Sequence, residues 1–327
     1  MSSATSNITC SVGPNEDACY YPTPESLENA YQTGNCNVKI LLLSHPNNPL
    51  GICYPKKVLR DILIWAESRS VHIISDEIYG GSCYNESKNT GENFTSMLTV
   101  ASEHRKSTCS DELSVIDTSN FLGIGPYVHL VYGLSKDLAL SGLRVGVAYT
   151  ENKDVALPMS KLNDLCQVSS QTLVLLDNLF TRRVGEYGND IHDIGSCHND
   201  TAISTSKNYY WDEYFLMMSR KRLSNRSCRL QNCLTNCQIP FLKPDSAMFI
   251  WMDLSKFLPQ ELASSFSKRT LYLELINVYG LLLTPELSMK MTQPGYFRFF
   301  FTAATEDQFE LPKFHLNRFA TTCTKMH

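Results

Sequence analysis

The stretch KILLLSHPNNPLGICYPKKVLRDILIWAESRSVHIISDEIY, residues 39–79, decides the fold class. It opens on a short continuous apolar run, KILLLS, and closes on another, VHIIS at 71–75. Runs this short and this apolar read as strands of a sheet covered on both faces. Between them, Pro55 suits the first position of a helix. Val58, Ile62, Trp65 and Arg69 recur at helical spacing, and Leu59 and Ala66 widen the stripe. The pattern is strand, helix, strand, with a right-handed crossover expected.

The same alternation continues outward. VHLVYG (128–133) and VGVAYT (145–150) read as further buried strands. Residues 84–125 are polar and read as a loop with a short helix around FTSMLTVASE. Helices are expected over 168–184, 206–237 and 260–280, with a last one from about Glu306. Strands are expected at AMFIWMDL (247–254) and FRFFFTA (297–303). The polar segment EYGNDIHDIGSCHNDT divides the chain into domains at 1–190 and 191–327.

Composition narrows the classes. The chain has 327 residues, 43% hydrophobic and 19% charged, which supports a sizeable core and argues against wholesale disorder. A net charge of −4 gives no electrostatic footprint for nucleic acid or an anionic membrane. No apolar run approaches the roughly 20 residues of a membrane span. The start, MSSATSNITC, has neither a basic segment nor an apolar core, so no secretory signal is read and a cytoplasmic protein is expected. The twelve cysteines then read as reduced thiols. Cys228, Cys233 and Cys237 share a helix but lack zinc-site spacing.

Four features stand at strand ends, where an open α/β sheet places its ligands. In SHPNNPLG (44–51) two prolines and a glycine end the strand in a tight turn and hold Asn48 on a rigid loop. In SDEIY (75–79) Asp76 leaves the sheet with Tyr79 three residues on. Alone, Asp76 reads as a helix cap. In VYGLSKDLALSGLRVG (131–146) Lys136 follows Ser135, and Arg144 offers a planar donor fork suited to phosphate. A desolvated lysine favours its neutral, nucleophilic form, whereas a solvated loop lysine is ordinary. In PGYFRFFFTA (294–303) Arg298 lies among aromatics and needs an anion, either a ligand carboxylate or a structural partner.

Taken in this order, NPxG, D-x-x-Y after a strand, S-K followed by an arginine, and a late G-x-F-R resemble the class I/II aminotransferases, and most of all proteins like 1-aminocyclopropane-1-carboxylate (ACC) synthase. The likeness runs from about Pro22 to the C-terminus. It implies a fold type I α/β architecture, with a three-layer α/β/α large domain and a smaller α+β C-terminal domain. It also implies pyridoxal 5′-phosphate (PLP) as cofactor, an amino-acid substrate and a homodimer. By the same likeness Lys136 carries the cofactor and acts as the base. Asp76 pairs with the ring nitrogen, Tyr79 and Asn48 with the ring oxygen, Ser135 and Arg144 bind the cofactor, and Arg298 clamps the substrate carboxylate. Transamination and ACC-forming elimination on S-adenosylmethionine both fit.

Departures from the pattern qualify it. Gly133 stands where the family places a phosphate-binding hydroxyl, and His45 replaces an asparagine. Only about forty residues precede NPxNPxG, and none resembles the family's substrate arm, phosphate-cradling turn or ring-stacking aromatic. The expectation is a large domain incomplete at its N-terminus, which keeps a catalytically impaired relative as the alternative. A redox or nucleotide-binding Rossmann protein would share the fold class, but no G-x-G-x-x-G follows a strand in this sequence.

Overall fold

The computed structural model describes residues 20–34, 36–84, 94–108, 123–184, 209–258, 265–289, 291, 293–303 and 305–324. The expected domain junction near residue 190 lies outside these, as does the expected start of the helix at 260.

Four strands form the first sheet in the order β1 (Ile40–Ser44), β2 (His72–Asp76), β3 (Val128–Gly133), β4 (Gly146–Thr150). The first three are parallel, and β4 runs antiparallel to β3 at the edge. Register pairs Ser44 with Asp76, and Asp76 with Val131. The C-terminal ends of β1, β2 and β3 therefore open onto one edge of the sheet.

Helix α2 (Lys56–Ser68) makes the crossover from β1 to β2. Its stripe buries Leu59, Ile62, Leu63, Trp65 and Ala66. These pack with Leu43, Ile73 and Val128 of the strands and with Met97, Val100 and Ala101 of α3 (Met97–Thr108). Burying a large apolar side chain stabilises by roughly 1.5–3 kcal/mol, so this layer supplies much of the sheet's support. A helix not anticipated in the sequence, α1 (Pro24–Thr33), is opened by a Thr23–Ser26 capping box with proline in its first turn. It contributes Leu27 to the same core.

The expectation of a sheet covered on both faces does not hold among the described residues. Leu42 and Ile40 are 69% and 55% exposed, and Val131 and Val147 also face outward. The physical reason is where the helices sit. α2 and α3 share the core of one face. On the other, α4 (Lys153–Asn163) stands off the edge strand and leaves an open groove of about 850 Å³ lined by Val131, Val147, Met159 and Leu162. Helix α5 (Ser170–Thr181) packs instead beside α6 (Trp211–Asn236), through Leu176 and Trp211.

The second sheet is antiparallel, in the order β5 (Phe241–Leu242), β6 (Phe249–Asp253), β8 (Tyr296–Phe300), β7 (Thr284–Pro285). Helices α6, α7 (Ser265–Asn277) and α8 (Glu310–Thr324) close its core through Leu230, Leu234, Leu271, Leu275, Leu316 and Phe319. Tyr84, on the chain leaving β2, is part of this second core.

His45 is fully buried between the rings of Tyr54 and Phe94. Its Nδ1 accepts from the Tyr54 N–H at 3.3 Å, which leaves Nε2–H to donate to Thr95 O at 3.0 Å. Both ring nitrogens are thus satisfied in the neutral form. Burial pushes its pKa down to about 4, with the Thr95 carbonyl opposing. An unfolded chain protonates this histidine near pH 6.5, and the native chain does not. The stability it contributes is present above that pH and is lost as pH falls from about 6.5 to 4, by on the order of 3 kcal/mol. Thermal melts across this range are expected to show a falling Tm. The His45→Asn variant should lose most of that slope, and an unchanged slope would refute the assignment.

Candidate active site

The loops leaving β1, β2 and β3 share the sheet's C-terminal edge. Each is shaped by its own sequence. After β1, Gly51 adopts φ +71, and a Cβ there would stand 2.8 Å from the Phe249 carbonyl. Only glycine fits that close approach. The Gly51 N–H donates to Asn47 O, and the Asn47 N–H to Ile52 O, closing the turn that presents Asn48.

After β2, the Asp76 carboxylate accepts the Ile78 N–H at 3.2 Å. Buried Glu77 turns the other way and accepts from Ser75 Oγ and from the Met97 N–H, the first residue of α3. Burial raises the Glu77 pKa against these hydrogen bonds. Tyr79 is buried edge-on against Phe249, with ring centroids 5.4 Å apart. Its phenol is pushed up chiefly by burial, and the charges of Asp76 and Asp137 add to this while Arg298 opposes it.

After β3, Leu134 and Leu138 plug into a small cluster with Leu176. They hold Ser135 and Lys136 half-buried between them. Among the described residues the Lys136 amine has no hydrogen bond or ion pair. Its neighbour Asp137 is buried and ties two loops together. Its carboxylate accepts from Ser82 Oγ, from the Gly81 N–H at 2.6 Å and from Tyr132 Oη at 3.2 Å. Burial raises the Asp137 pKa, and these donors together with the Arg220 charge hold it back. Sequence reading missed Asp137, because an aspartate beside a loop lysine looks solvated.

Arg298 arrives from β8 of the second sheet. It donates to Asn48 Oδ1 at 2.6 Å and to Thr284 Oγ1 at 3.3 Å, and it lies 5.2 Å from the centre of the Phe249 ring. All these partners are neutral. Its Nε–H is buried without an acceptor, and among the described residues no carboxylate pairs with it. Burial lowers its pKa, and Tyr79 opposes that shift. The structure therefore joins Arg298, Asn48, Phe249 and Tyr79 in direct contact. Asp76 and Asp137 are close enough to Tyr79 to act on it through their charge. Arg144 is exposed, in the left-handed backbone region, and donates to the nearby Ser141 carbonyl at 3.0 Å.

The profile of the family "Aminotransferase class I and II" matches residues 15–183 and 197–310. The chain belongs to that family, whose members are PLP-dependent enzymes. Among curated proteins it is 30% identical over 300 residues to 1-aminocyclopropane-1-carboxylate synthase 7 of Arabidopsis thaliana, covering 91% of this chain and 56% of that protein. It is 29% identical over 295 residues to 1-aminocyclopropane-1-carboxylate synthase 11 of the same plant, covering 89% and 54%. The chain spans about half the length of the curated relatives it matches. Its fold is that of solved aminotransferases. A double mutant of Thermus thermophilus aspartate aminotransferase superposes with TM-score 0.62 at 22% identity, over 92% of this chain and 60% of that one. The aromatic aminotransferase of Pyrococcus horikoshii gives TM-score 0.63 at 16% identity, over 91% and 63%.

The ring side of such a cofactor fits what the strand ends offer. An uncommitted amine, a carboxylate and a phenol stand at one edge, and an unpaired guanidinium joins them from the second sheet. The phosphate side fits less well, because Gly133 brings no hydroxyl and Arg144 is engaged with Ser141.

Asp137 gives a direct test of how the edge is held. Asp137→Ala removes the shared acceptor and leaves the Gly81 N–H and Ser82 hydroxyl without it, at an expected cost of about 2–4 kcal/mol. Urea unfolding of the two proteins measures this, and a change below about 0.5 kcal/mol would contradict the role.

Proposed function

We propose that this chain is a PLP-dependent enzyme acting on an α-amino acid, by transamination or by ACC-synthase-like elimination. Arg298 is the observation that carries the proposal. A half-buried guanidinium with a buried, unpartnered Nε–H and only neutral neighbours is a site short of one anion. A substrate α-carboxylate supplies it, and the planar fork takes such a group in two parallel hydrogen bonds. Asn48, already bonded to the same guanidinium, fixes its direction.

The remaining residues take the roles the family likeness assigns them. Lys136 holds the cofactor by its amine and moves the Cα proton of the substrate. Asp76 pairs with the ring nitrogen and keeps it protonated, and Tyr79 and Asn48 donate to the ring oxygen. Arg144 serves the phosphate, and Ser135 contributes to cofactor binding beside Lys136. The cofactor, when bound, supplies the electron sink that stabilises the carbanion at Cα. Residues 1–190 form the cofactor-binding large domain and 191–327 the small domain that brings Arg298. A cytoplasmic homodimer goes with this reading. Among the described residues no helix is long and apolar enough to cross a membrane.

A second reading is favoured by the phosphate side. With Gly133 in place of a hydroxyl and Arg144 on Ser141, the cofactor is held weakly and turnover is impaired. The structure has room for the missing group. A Cβ at Gly133 would meet its nearest atoms, of Ile78 and Val145, at 3.6 Å, an ordinary contact.

Titration of the purified chain with PLP is expected to give the visible absorption band of a lysine-bound cofactor. That band should be abolished in Lys136→Ala, and its persistence there would remove Lys136 from the role. Gly133→Ser should fold normally and bind PLP several-fold more tightly. Equal affinity would show that the missing hydroxyl is not what limits binding. Product assays then separate the reactions. Keto acid from amino-acid substrates marks transamination, and ACC from S-adenosylmethionine marks elimination. The Arg298→Lys variant of an active chain should raise KM at least tenfold, since an ammonium cannot reproduce the fork.

A further inference from the structure

Two thiols meet beside the site, and none of the roles above uses them. Cys53 Sγ and Cys83 Sγ lie 3.1 Å apart, on residues thirty positions distant in the chain. A disulfide needs them only about 1 Å closer. Cys53 belongs to the loop that presents Asn48, and Cys83 to the loop that presents Tyr79. One residue fastens both loops from behind. The Cys53 N–H donates to Asp245 Oδ1 at 2.9 Å, and the Tyr84 N–H donates to the Asp245 carbonyl at 3.0 Å. The backbones that carry the two sulfurs thus share an anchor, and the thiols are held face to face.

Both residues are intermediate in burial, with the Cys83 thiol the more enclosed, so access is limited to a small oxidant. The pair differs from Cys233 and Cys237, one turn apart on α6. Those two thiols also interact with each other, but each is in addition bonded to α8, to Lys313 O at 3.7 Å and Asn317 Oδ1 at 3.0 Å. Cys53 and Cys83 have each other.

We propose that Cys53 and Cys83 are a reversible dithiol–disulfide pair, oxidised by hydrogen peroxide, that staples the Asn48 loop to the Tyr79 loop. The Cys53 sulfur attacks one peroxide oxygen and the O–O bond breaks. Cys53 becomes a sulfenic acid, and the leaving hydroxide takes the thiol proton to form water. The Cys83 sulfur then attacks the Cys53 sulfur. The S–S bond forms, the S–O bond breaks, and the departing hydroxide takes the Cys83 proton as a second water. Two thiols lose two electrons, and one peroxide gains them. Cys53 is assigned the first attack because the hydrogen bond between the two thiols first, and then burial, raise the pKa of Cys83.

The staple crosses a 30-residue segment and restricts the unfolded chain accordingly. It also fixes two loops that otherwise meet through hydrogen bonds. The inference does not rest on cofactor binding, and its test is read on the protein alone.

The full-length chain is reduced, desalted and treated with one equivalent of hydrogen peroxide. Free thiols are then alkylated and the peptides mapped by mass. The expected result is loss of two alkylation sites and one linked peptide joining Cys53 to Cys83, reversed by dithiothreitol. The oxidised protein should melt about 5 °C higher. In Cys83→Ser, peroxide with dimedone should label Cys53, whereas Cys53→Ser should leave Cys83 unlabelled. The proposal is overturned if exposed Cys166 or Cys228 oxidises while the 53–83 link is absent, or if the link forms only in urea. Dimedone labelling of Cys83 in Cys53→Ser overturns the order of attack.

Discussion

Parallel pairing of β1, β2 and β3 is the constraint on which the rest depends. Parallel strands joined by crossovers all end at the same edge, so their three following loops are neighbours whatever they contain. Register completes the arrangement by setting Ser44 beside Asp76 and Asp76 beside Val131. Asn48, Asp76, Tyr79 and Lys136 are widely spaced in the sequence, yet each lies within a few residues of that edge. Backbone pairing alone is enough to bring these residues to one edge.

Charge on this edge is unevenly satisfied, and the unevenness separates support from function. Asp137 and Glu77 are buried carboxylates whose acceptor capacity is filled by Ser82, Gly81, Tyr132, Ser75 and Met97. Their burial cost is offset by donors within the fold, as expected of groups that hold loops in place. Arg298 is the opposite case, with neutral partners and an idle buried N–H. Lys136 is likewise uncommitted among the described residues. Groups left short of partners at a strand-end edge are the ones a ligand completes.

Much of this was legible in the sequence. Continuous apolar runs marked β1 to β4, β6 and β8, whether or not both faces are covered. The α2 stripe was equally plain. Helix α1 was not recognised although Thr23, Pro24 and Ser26 spell a helix start, because its apolar face is thin and buries only Leu27. Helix α4 was not recognised either; it buries no residue and carries Pro158 in its interior, which reads as a helix breaker. Strands β5 and β7, two residues each, exist only through their pairing with β6 and β8. The uncovered sheet face was invisible for a related reason. An apolar run reports a preference for burial, whereas coverage depends on where α4 and α5 come to rest. At the site, motif order singled out Asn48, Asp76, Tyr79 and Lys136, which follow strands that end at one edge, and Arg298, which meets Asn48 there. Whether Arg298 had met an anion, and whether Cys53 had met Cys83, are facts of space that no spacing encodes.

The site also depends on how the two sheets are joined. Arg298 comes from β8 and Asn48 from the loop after β1, and they meet across 2.6 Å. That contact requires the second sheet to be seated on the first. The Gly51 carbonyl accepts the N–H groups of Asp245 and Ser246, Ser82 O accepts the Ala247 N–H, and Arg220 of α6 donates to Gly81 O. All three joints land on the two loops that present Asn48 and Tyr79. The glycine that shapes the first loop has no room for a side chain because Phe249 lies against it. The same Phe249 supports both Tyr79 and Arg298. A single residue, through its carbonyl and its ring, therefore sets the turn, the phenol and the guanidinium together. Substitution at Gly51 would disturb the Arg298 end of the site and the seating of the sheets by the same displacement.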